Sequence, residues 1–183
     1  MKKHFFRRSS AAGSASVLMM SSLSAMPQLT VWAADAVVIN EVCTKNTKLP
    51  APDGGLYDYV ELYNTSDSQI SLAGYGLTDD EAAPMRYTFP QDSVIPPKGY
   101  LVVYCGVSEG SGVPGAAFGL SKSGETLILS NPQGNVIETM EVPALNDDTS
   151  FGRVPDGSST FAVLQQLTPG STNPQGQNAD III

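Results

Sequence analysis

Two glutamates lie within apolar, strand-like runs, and paired carboxylates are groups that could perform acid–base chemistry. Glu41 follows Val38-Ile39-Asn40, and Glu61 lies in Tyr59-Val60-Glu61-Leu62-Tyr63. Two carboxyl groups that face one cleft can act as acid and base in glycoside hydrolysis. Strand alternation favours a structural reading, in which Glu61 faces solvent or one of the two glutamates pairs with Arg153.

Arg153 lies between Gly152 and a Pro155-Asp156-Gly157 turn. A guanidinium group presents paired donors that match a carboxylate, so we expect Arg153 to bridge to a strand carboxylate. Such a bridge would pin the last strands of the domain to its first sheet.

Two acidic loops carry the oxygen ligands that Ca²⁺ prefers: Thr78-Asp79-Asp80-Glu81 and Asp147-Asp148. Neither has the glycine-punctuated spacing of a calcium loop, so a turn capped by Asp side chains is the alternative. Asp79, Asp80 and Glu81 are the candidates for Ca²⁺, or for the metal of a hydrolase that works without histidine.

His4 is the single histidine, and the cysteines are Cys43 and Cys105. His4 falls in an expected leader, so the processed chain has no imidazole for Ser–His or Cys–His catalysis or for histidine-bound zinc. Cys43 and Cys105 each end an apolar run. They could form a disulfide in an oxidising compartment or remain two buried small apolar side chains.

Residues 1–36 have the pattern of a signal peptide, with a basic head, a weakly apolar stretch and small residues near Ala36. Cleavage there would remove four of the 10 basic and one of the 18 acidic residues, leaving a charge of about -11. We expect a secreted or cell-surface protein that is free of the membrane. Such an acidic chain is not expected to bind nucleic acid, which requires Lys and Arg.

From Val37 onward, short β-branched and aromatic runs alternate with turn residues, which predicts an all-β sandwich. Asn131-Pro132-Gln133-Gly134 predicts a hairpin turn. Tyr100–Cys105 is apolar on both faces, which predicts a central strand. The predicted strands are residues 37–43, 57–63, 69–72, 75–78, 86–89, 100–105, 125–130, 136–142, 150–154 and 161–164.

The composition of residues 168–178 predicts a linker. Ala179-Asp180-Ile181-Ile182-Ile183 then echoes the sequence before and within the first strand. Residues 174–183 are therefore expected to be a linker or the start of a further segment, with a downstream domain in the same polypeptide. The alternative is an apolar terminus without a role.

Eight short sequence motifs, in matching order and spacing, resemble those of bacterial lamin tail domains. They include Val38-Ile39-Asn40-Glu41-Val42, Asp58-Tyr59-Val60-Glu61-Leu62-Tyr63-Asn64, Ile95-Pro96-Pro97-Lys98-Gly99-Tyr100, Thr149-Ser150-Phe151-Gly152-Arg153 and Thr168-Pro169-Gly170. The resemblance covers residues 37–173, which we predict to be the domain. It implies an immunoglobulin-like β-sandwich without catalytic residues. The residues expected to have structural roles are Glu41, Glu61, Asn64, Arg153, Asp156 and Gly157.

The function expected from these features is a non-catalytic interaction or positioning module of a secreted or cell-surface protein. Its partner would be a protein or a cell-wall glycan, and no cofactor is expected. Bacterial members of the family accompany exported nucleases and spore-coat-kinase-like domains, so the alternative is an accessory domain of an exported enzyme. A metal-dependent hydrolase that uses the acidic loops is the remaining reading.

Overall fold

The computed structural model of the chain describes residues 36–108 and 110–175 and the backbone of residues 179–182. The predicted signal peptide and His4 lie outside the described residues, apart from Ala36, which is already buried in the fold. The described part contains strands and turns without a helix, so the predicted all-β class is confirmed. Within these residues, no helix has the length and apolar content needed to cross a bilayer.

The larger sheet has seven strands and is antiparallel except at one edge. Its central strand is β1, because three strands lie on either side of it. In spatial order the strands are β13 (Ala179–Ile182), β12 (Phe161–Leu164), β11 (Ser150–Arg153), β1 (Val37–Cys43), β2 (Asp58–Asn64), β7 (Tyr100–Cys105) and β8 (Gly115–Ala116).

A four-stranded sheet and a two-stranded ribbon complete the sandwich. The four-stranded sheet has the order β10 (Val136–Val142), β9 (Glu125–Ser130), β4 (Gly76–Thr78) and β5 (Tyr87–Thr88). The ribbon pairs β3 (Ile70–Ser71) with β6 (Val94–Ile95). The core contains apolar side chains from all three, such as Ile39, Leu62, Leu77 and Ile95, each fully buried. Burial of one such side chain contributes about 1.5–3 kcal/mol.

The predicted hairpin is confirmed. β9 and β10 pair antiparallel, and the turn between them is closed by hydrogen bonds from Gly134 N to Asn131 O and from Asn131 N to Asn135 O. Pro132 supplies the fixed φ that the second position of such a turn favours, and Gly134 adopts a positive φ of 80°.

The prediction that Tyr100–Cys105 forms the central strand is wrong. The strand exists with those bounds, but β7 has only the two-residue β8 on its far side, whereas β1 occupies the middle of the sheet. The run is apolar on both faces because its outer face carries tyrosines that pack against other tyrosine rings.

Candidate functional site

A β-bulge in β1 places two successive polar side chains on the outer face of the large sheet. The register between β1 and β2 shifts between Ile39, opposite Leu62, and Glu41, opposite Glu61, so Asn40 is the extra residue. A bulge turns an additional side chain toward the same face. Asn40 and Glu41 therefore join Glu61 outside the core, and all three are fully buried there.

The segment Thr168–Asn173, here called the strap, covers these side chains. Thr168 donates from its backbone N–H to Glu41 Oε1 at 3.2 Å, and Gly170 N–H donates to Glu61 Oε2 at 2.6 Å. Asn173 Nδ2 donates to the Arg153 carbonyl at 2.9 Å. The linker predicted for this part of the chain is therefore wrong, because polar backbone groups bind it to buried carboxylates.

Asp156 is the third member of what we call the carboxylate cluster, with Glu41 and Glu61. Asn40 Nδ2 donates to Glu61 Oε1 and to Asp156 Oδ1, each at 3.0 Å, so one amide joins two carboxylates. Tyr100 Oη donates to Asp156 Oδ2 at 2.6 Å, and Asn173 N–H donates to Asp156 Oδ1 at 3.1 Å. The cluster thus links β1, β2, β7, the turn after β11 and the strap.

Among the described residues, no Lys or Arg forms an ion pair with the three carboxyl groups of the cluster. Tyr59 Oη donates to Glu41 Oε1 at 2.7 Å and Ser150 Oγ to the same oxygen at 2.6 Å. All donors that reach the three carboxylates among the described residues are hydroxyl, amide or backbone N–H groups. Burial raises the pKa of Glu41. Burial, with the charge of Glu41 as a smaller cause, raises the pKa of Glu61 to about 8.

Two acceptor oxygens lie within hydrogen-bonding distance of the Thr168 hydroxyl. The Thr168 hydroxyl lies 3.1 Å from Glu41 Oε2 and 3.0 Å from Asn173 Oδ1. A hydroxyl has one proton and cannot donate to both oxygens.

This arrangement is suited to holding the strap, and it does not present an acid–base pair to a substrate. Glu41 and Glu61 are both fully buried beneath the strap, and their oxygens are engaged by fixed donors. The expectation that Glu61 faces solvent is wrong. The expected pairing of Glu41 or Glu61 with Arg153 is also wrong.

Arg153 instead pairs with Glu138 of β10, across the gap between the two large sheets. Strand alternation explains the error: Ser150 bonds Glu41 on the outer face, so Phe151 and Arg153 point to the opposite face. Arg153 Nε donates to Ile39 O at 2.9 Å, and Ile39 N–H donates to Glu138 Oε2 at 2.8 Å. The ion pair thus satisfies both backbone groups of Ile39.

Asn64 and Gly157, the other residues expected to be structural, both lie at turns. Asn64 Nδ2 donates to the carbonyls of Ser68, at 2.7 Å, and Pro96, at 3.0 Å, and so joins two loops. Gly157 has a φ of 71° and donates its N–H to Asn40 Oδ1 at 3.1 Å. A Cβ at Gly157 would lie 2.9 Å from Thr65 Cγ2, so the close approach requires glycine.

Cys43 and Cys105 are free and buried, so the structure agrees with the alternative of two small apolar side chains. β2 separates their strands, which puts the two residues about 10 Å apart, beyond the reach of a disulfide. Cys105 packs in the core, whereas Cys43 follows the core residue Val42 and points outward. Burial raises the pKa of the Cys43 thiol to about 12.

The acidic loops form turns and surface ion pairs. Asp79 pairs with Arg86, and Asp80 Oδ1 accepts the N–H of Ala82 at 2.9 Å. Asp148 accepts the Thr47 N–H at 2.7 Å, which lowers the pKa of Asp148. Glu81 is exposed. Across residues 36–108 and 110–175, no three His, Cys, Asp or Glu side chains are placed to hold a metal ion.

A row of tyrosines on the outer face of the large sheet forms its accessible surface beside the strap. We call the half-buried rings of Tyr57, Tyr63, Tyr100 and Tyr104 the tyrosine face. Tyr63 lies opposite Tyr100 on the neighbouring strand, with ring centroids 5.0 Å apart, and the centroids of Tyr57 and Tyr104 are 6.0 Å apart. Paired rings of this kind offer apolar area and hydroxyl groups in a fixed geometry.

Sequence reasoning did not identify the residues that complete the cluster, namely Asn40, Tyr100, Thr168, Gly170 and Asn173, or the ion-pair partner Glu138. One signal was present in the sequence. Asn40 and Glu41 are adjacent polar residues inside an otherwise apolar strand, a pattern that breaks strict alternation and indicates a bulge. The strap carries Thr168-Pro169-Gly170, one of the motifs of the family resemblance, but its composition is that of a linker and gave no indication that it binds buried carboxyl groups.

The model of the family described as Lamin Tail Domain matches residues 13–144. The match includes β1 to β10 and ends before β11, β12 and the strap. No curated protein matches the chain.

Proposed function

Because this chain belongs to the Lamin Tail Domain family, whose members are non-enzymatic immunoglobulin-like interaction modules, we propose that it binds a protein or a cell-wall glycan outside the cell and performs no catalysis. The observation that carries the proposal is the tyrosine face. The tyrosine face lies on the outer side of the larger sheet. The buried polar groups on that side already form hydrogen bonds with the strap, so the tyrosine rings are the groups left to contact a partner.

The tyrosine face has the physical properties of a contact surface. Tyrosine supplies a large apolar ring and a hydroxyl, and it loses little conformational freedom when it binds. The Tyr63–Tyr100 and Tyr57–Tyr104 pairs already hold their rings in place, so less ordering is left for binding. Tyr57 Oη donates to Asp53 at 3.0 Å, which further restricts that ring.

Export is the second part of the proposal. It is supported by the basic head of the sequence, the weakly apolar stretch that follows and the small residues near Ala36. The acidity of the rest of the chain favours a partner other than nucleic acid. If the polypeptide also has an exported catalytic domain, the same face would position that domain on its target.

The experiment compares retention of the purified domain, residues 36–183, by a cell-surface protein fraction and by insoluble cell wall. The test variant replaces two rings of the tyrosine face, Tyr57→Ser with Tyr104→Ser. The matched control is Val136→Ser, which removes a side chain that is 57% exposed on β10, in the other sheet. Circular dichroism and thermal melting show that each variant is folded.

We expect one of the two fractions to retain the wild-type domain and the Val136→Ser control equally. The tyrosine variant should bind at least tenfold more weakly, because about 1.4 kcal/mol of lost contact gives a factor of ten. Equal retention of the tyrosine variant would exclude this face as the contact surface. Retention of the wild type at the level of empty beads in both fractions would refute the binding proposal.

A further inference from the structure

The outer edge of β12 pairs with the short strand β13, Ala179–Ile182. β13 pairs antiparallel with β12 over four residues, with Phe161 opposite Ile182, Ala162 opposite Ile181, Val163 opposite Asp180 and Leu164 opposite Ala179. Without β13, β12 would be the last strand on this side and would present unpaired backbone N–H and C=O groups. Such an edge is a template for pairing with any extended segment that fits.

The strap fixes the point from which the tail reaches this edge. Asn173 is anchored by hydrogen bonds to Asp156, Asn40 and Arg153. Its Nδ2 lies 2.8 Å from where a Cβ on Gly152 would be, so Asn173 sits over β11. β13 is two strands away from β11 in the sheet. Gly152, Ala162 and Ile181 lie opposite one another on β11, β12 and β13, so Ala179 is also displaced from Gly152 by two residues in the strand direction. The separation is therefore at least about 12 Å.

The number of residues between Asn173 and Ala179 is sufficient to cross this separation. Six Cα–Cα steps join Asn173 to Ala179, and they span up to about 20 Å when extended. The tail of the same copy therefore reaches the edge without strain. The strap holds the chain as far as Asn173, and four residues of antiparallel pairing with β12 hold Ala179–Ile182. Because the strap contacts do not depend on β13, this pairing can open while the rest of the sandwich remains folded.

We propose that the edge of β12 is an exchangeable strand-binding site whose second occupant is the Ala179–Ile182 segment of another copy of this chain. The register that fits within one copy fits between two copies, since the acceptor edge and the donor segment are unchanged. Reciprocal exchange fills both edges around a two-fold axis and gives a closed dimer. A short linker gives the tail of the same copy an effective concentration on the order of mM, so the monomer prevails in dilute solution.

The first test shortens the linker by deleting residues 175–177 from the chain that comprises residues 36–183. Three Cα–Cα steps then remain, and they span about 10 Å, which is less than the distance the tail must cross within one copy. The matched control carries the same deletion with Ile181→Pro, because proline removes a backbone donor and opposes strand pairing. Mass is measured by size-exclusion chromatography with light scattering.

We expect the shortened chain to have twice the monomer mass and the Ile181→Pro control to have the monomer mass. A shortened chain that stays monomeric would overturn the proposal. A control that dimerises equally well would also overturn it, because the contact would then lie elsewhere.

The second test identifies the pairing. One preparation of the shortened chain carries Val163→Cys and the other carries Asp180→Cys, which stand opposite each other in the register. Mixing under mild oxidation should link the two preparations, since only exchange brings these positions together. As a control, each cysteine variant is mixed separately with the wild-type chain. Any disulfide formed there reports the background from the native thiols Cys43 and Cys105, which are buried. Absence of the mixed disulfide would refute the register. These readouts leave the tyrosine face intact, so they are independent of the proposed function.

Discussion

Replacement of Arg153 by Met tests whether one ion pair ties the two large sheets together. The side chains of Arg153 and Glu138 are 12% and 11% exposed, so both charges are removed from most of the solvent. Met retains much of the apolar stem over Phe161, whose ring centroid lies 4.6 Å from the guanidinium carbon. The substitution therefore removes mainly the charge and its donors.

The expected loss follows from what Arg153 leaves behind. Glu138 would keep a buried carboxylate without an opposing charge, and the carbonyls of Ile39 and Ser158 would lose a donor. Removal of one partner from a buried pair costs about 3–5 kcal/mol. For a domain of about 140 residues, each kcal/mol shifts the melting temperature by roughly 3 °C, so Arg153→Met should melt about 10 °C lower.

Arg86→Met is the matched control. Arg86 also pairs with a carboxylate, that of Asp79, and also lies over a ring, that of Phe118 at 5.2 Å. Its side chain is 45% exposed, however, and an exposed pair contributes about 1 kcal/mol or less. We expect the control to melt within about 3 °C of wild type by calorimetry.

The pH dependence adds a check on the mechanism. Burial raises the pKa of Glu138, and the positive charge of Arg153 partly opposes this effect. Removal of Arg153 would therefore raise the pKa of Glu138 further. When folding raises the pKa of an acid, the free energy of unfolding of the protein decreases as the pH increases through the raised pKa. The deficit of Arg153→Met should therefore be larger at pH 8 than at pH 5. A melting curve that coincides with wild type, or equal losses in both arginine variants, would refute the role assigned to Arg153.

Three further predictions follow from the cluster and the core. The pKa of Glu61 is raised to about 8 in the folded chain from an ordinary value of 4.5, so stability should fall as the pH rises from 5 to 8; Glu61→Gln should flatten this slope in thermal melts, and the exposed Glu81→Gln should leave it unchanged. A Cβ at Gly152 would lie 2.8 Å from Asn173 Nδ2 and 2.9 Å from Asn40 O, so Gly152→Ala should lower stability by about 1–3 kcal/mol in denaturant unfolding. Gly119→Ala, where the Cβ meets nothing within 4 Å, should be close to neutral, and equal effects would contradict the close approach. Both thiols are buried and free, so a thiol reagent should label neither Cys43 nor Cys105 in the native domain and both after denaturation; rapid native labelling would contradict their burial.

Much of the sandwich could be predicted from local patterns. The strands 37–43, 100–105, 125–130, 136–142 and 161–164 have the predicted bounds, because each is a β-branched or aromatic run with turn residues at its ends. Two-residue strands such as Val94–Ile95 and Gly115–Ala116 were not predicted. They exist because a neighbouring strand supplies the pairing, and two residues contain too little pattern to indicate a strand.

The site was predicted less well, because its contacts join distant parts of the chain. Glu41 and Thr168 are 127 positions apart, and Arg153 and Ile39 are 114 apart. Residue types could indicate that a buried glutamate needs partners, but they could not identify the strap as the donor. The choice of Glu138 over Glu41 for Arg153 depended on which face each strand presents, and the bulge at Asn40 changed that face.

The most direct test of the account places a photo-activated cross-linking residue on the tyrosine face. The residue replaces Tyr63 in one preparation and Val136, on the other sheet, in a second, and each is irradiated with the fraction that retains the domain. We predict a covalent adduct from position 63 and none from position 136. An adduct from position 136 alone, or the same adducts from both positions, would contradict the assignment of the contact surface to the tyrosine face.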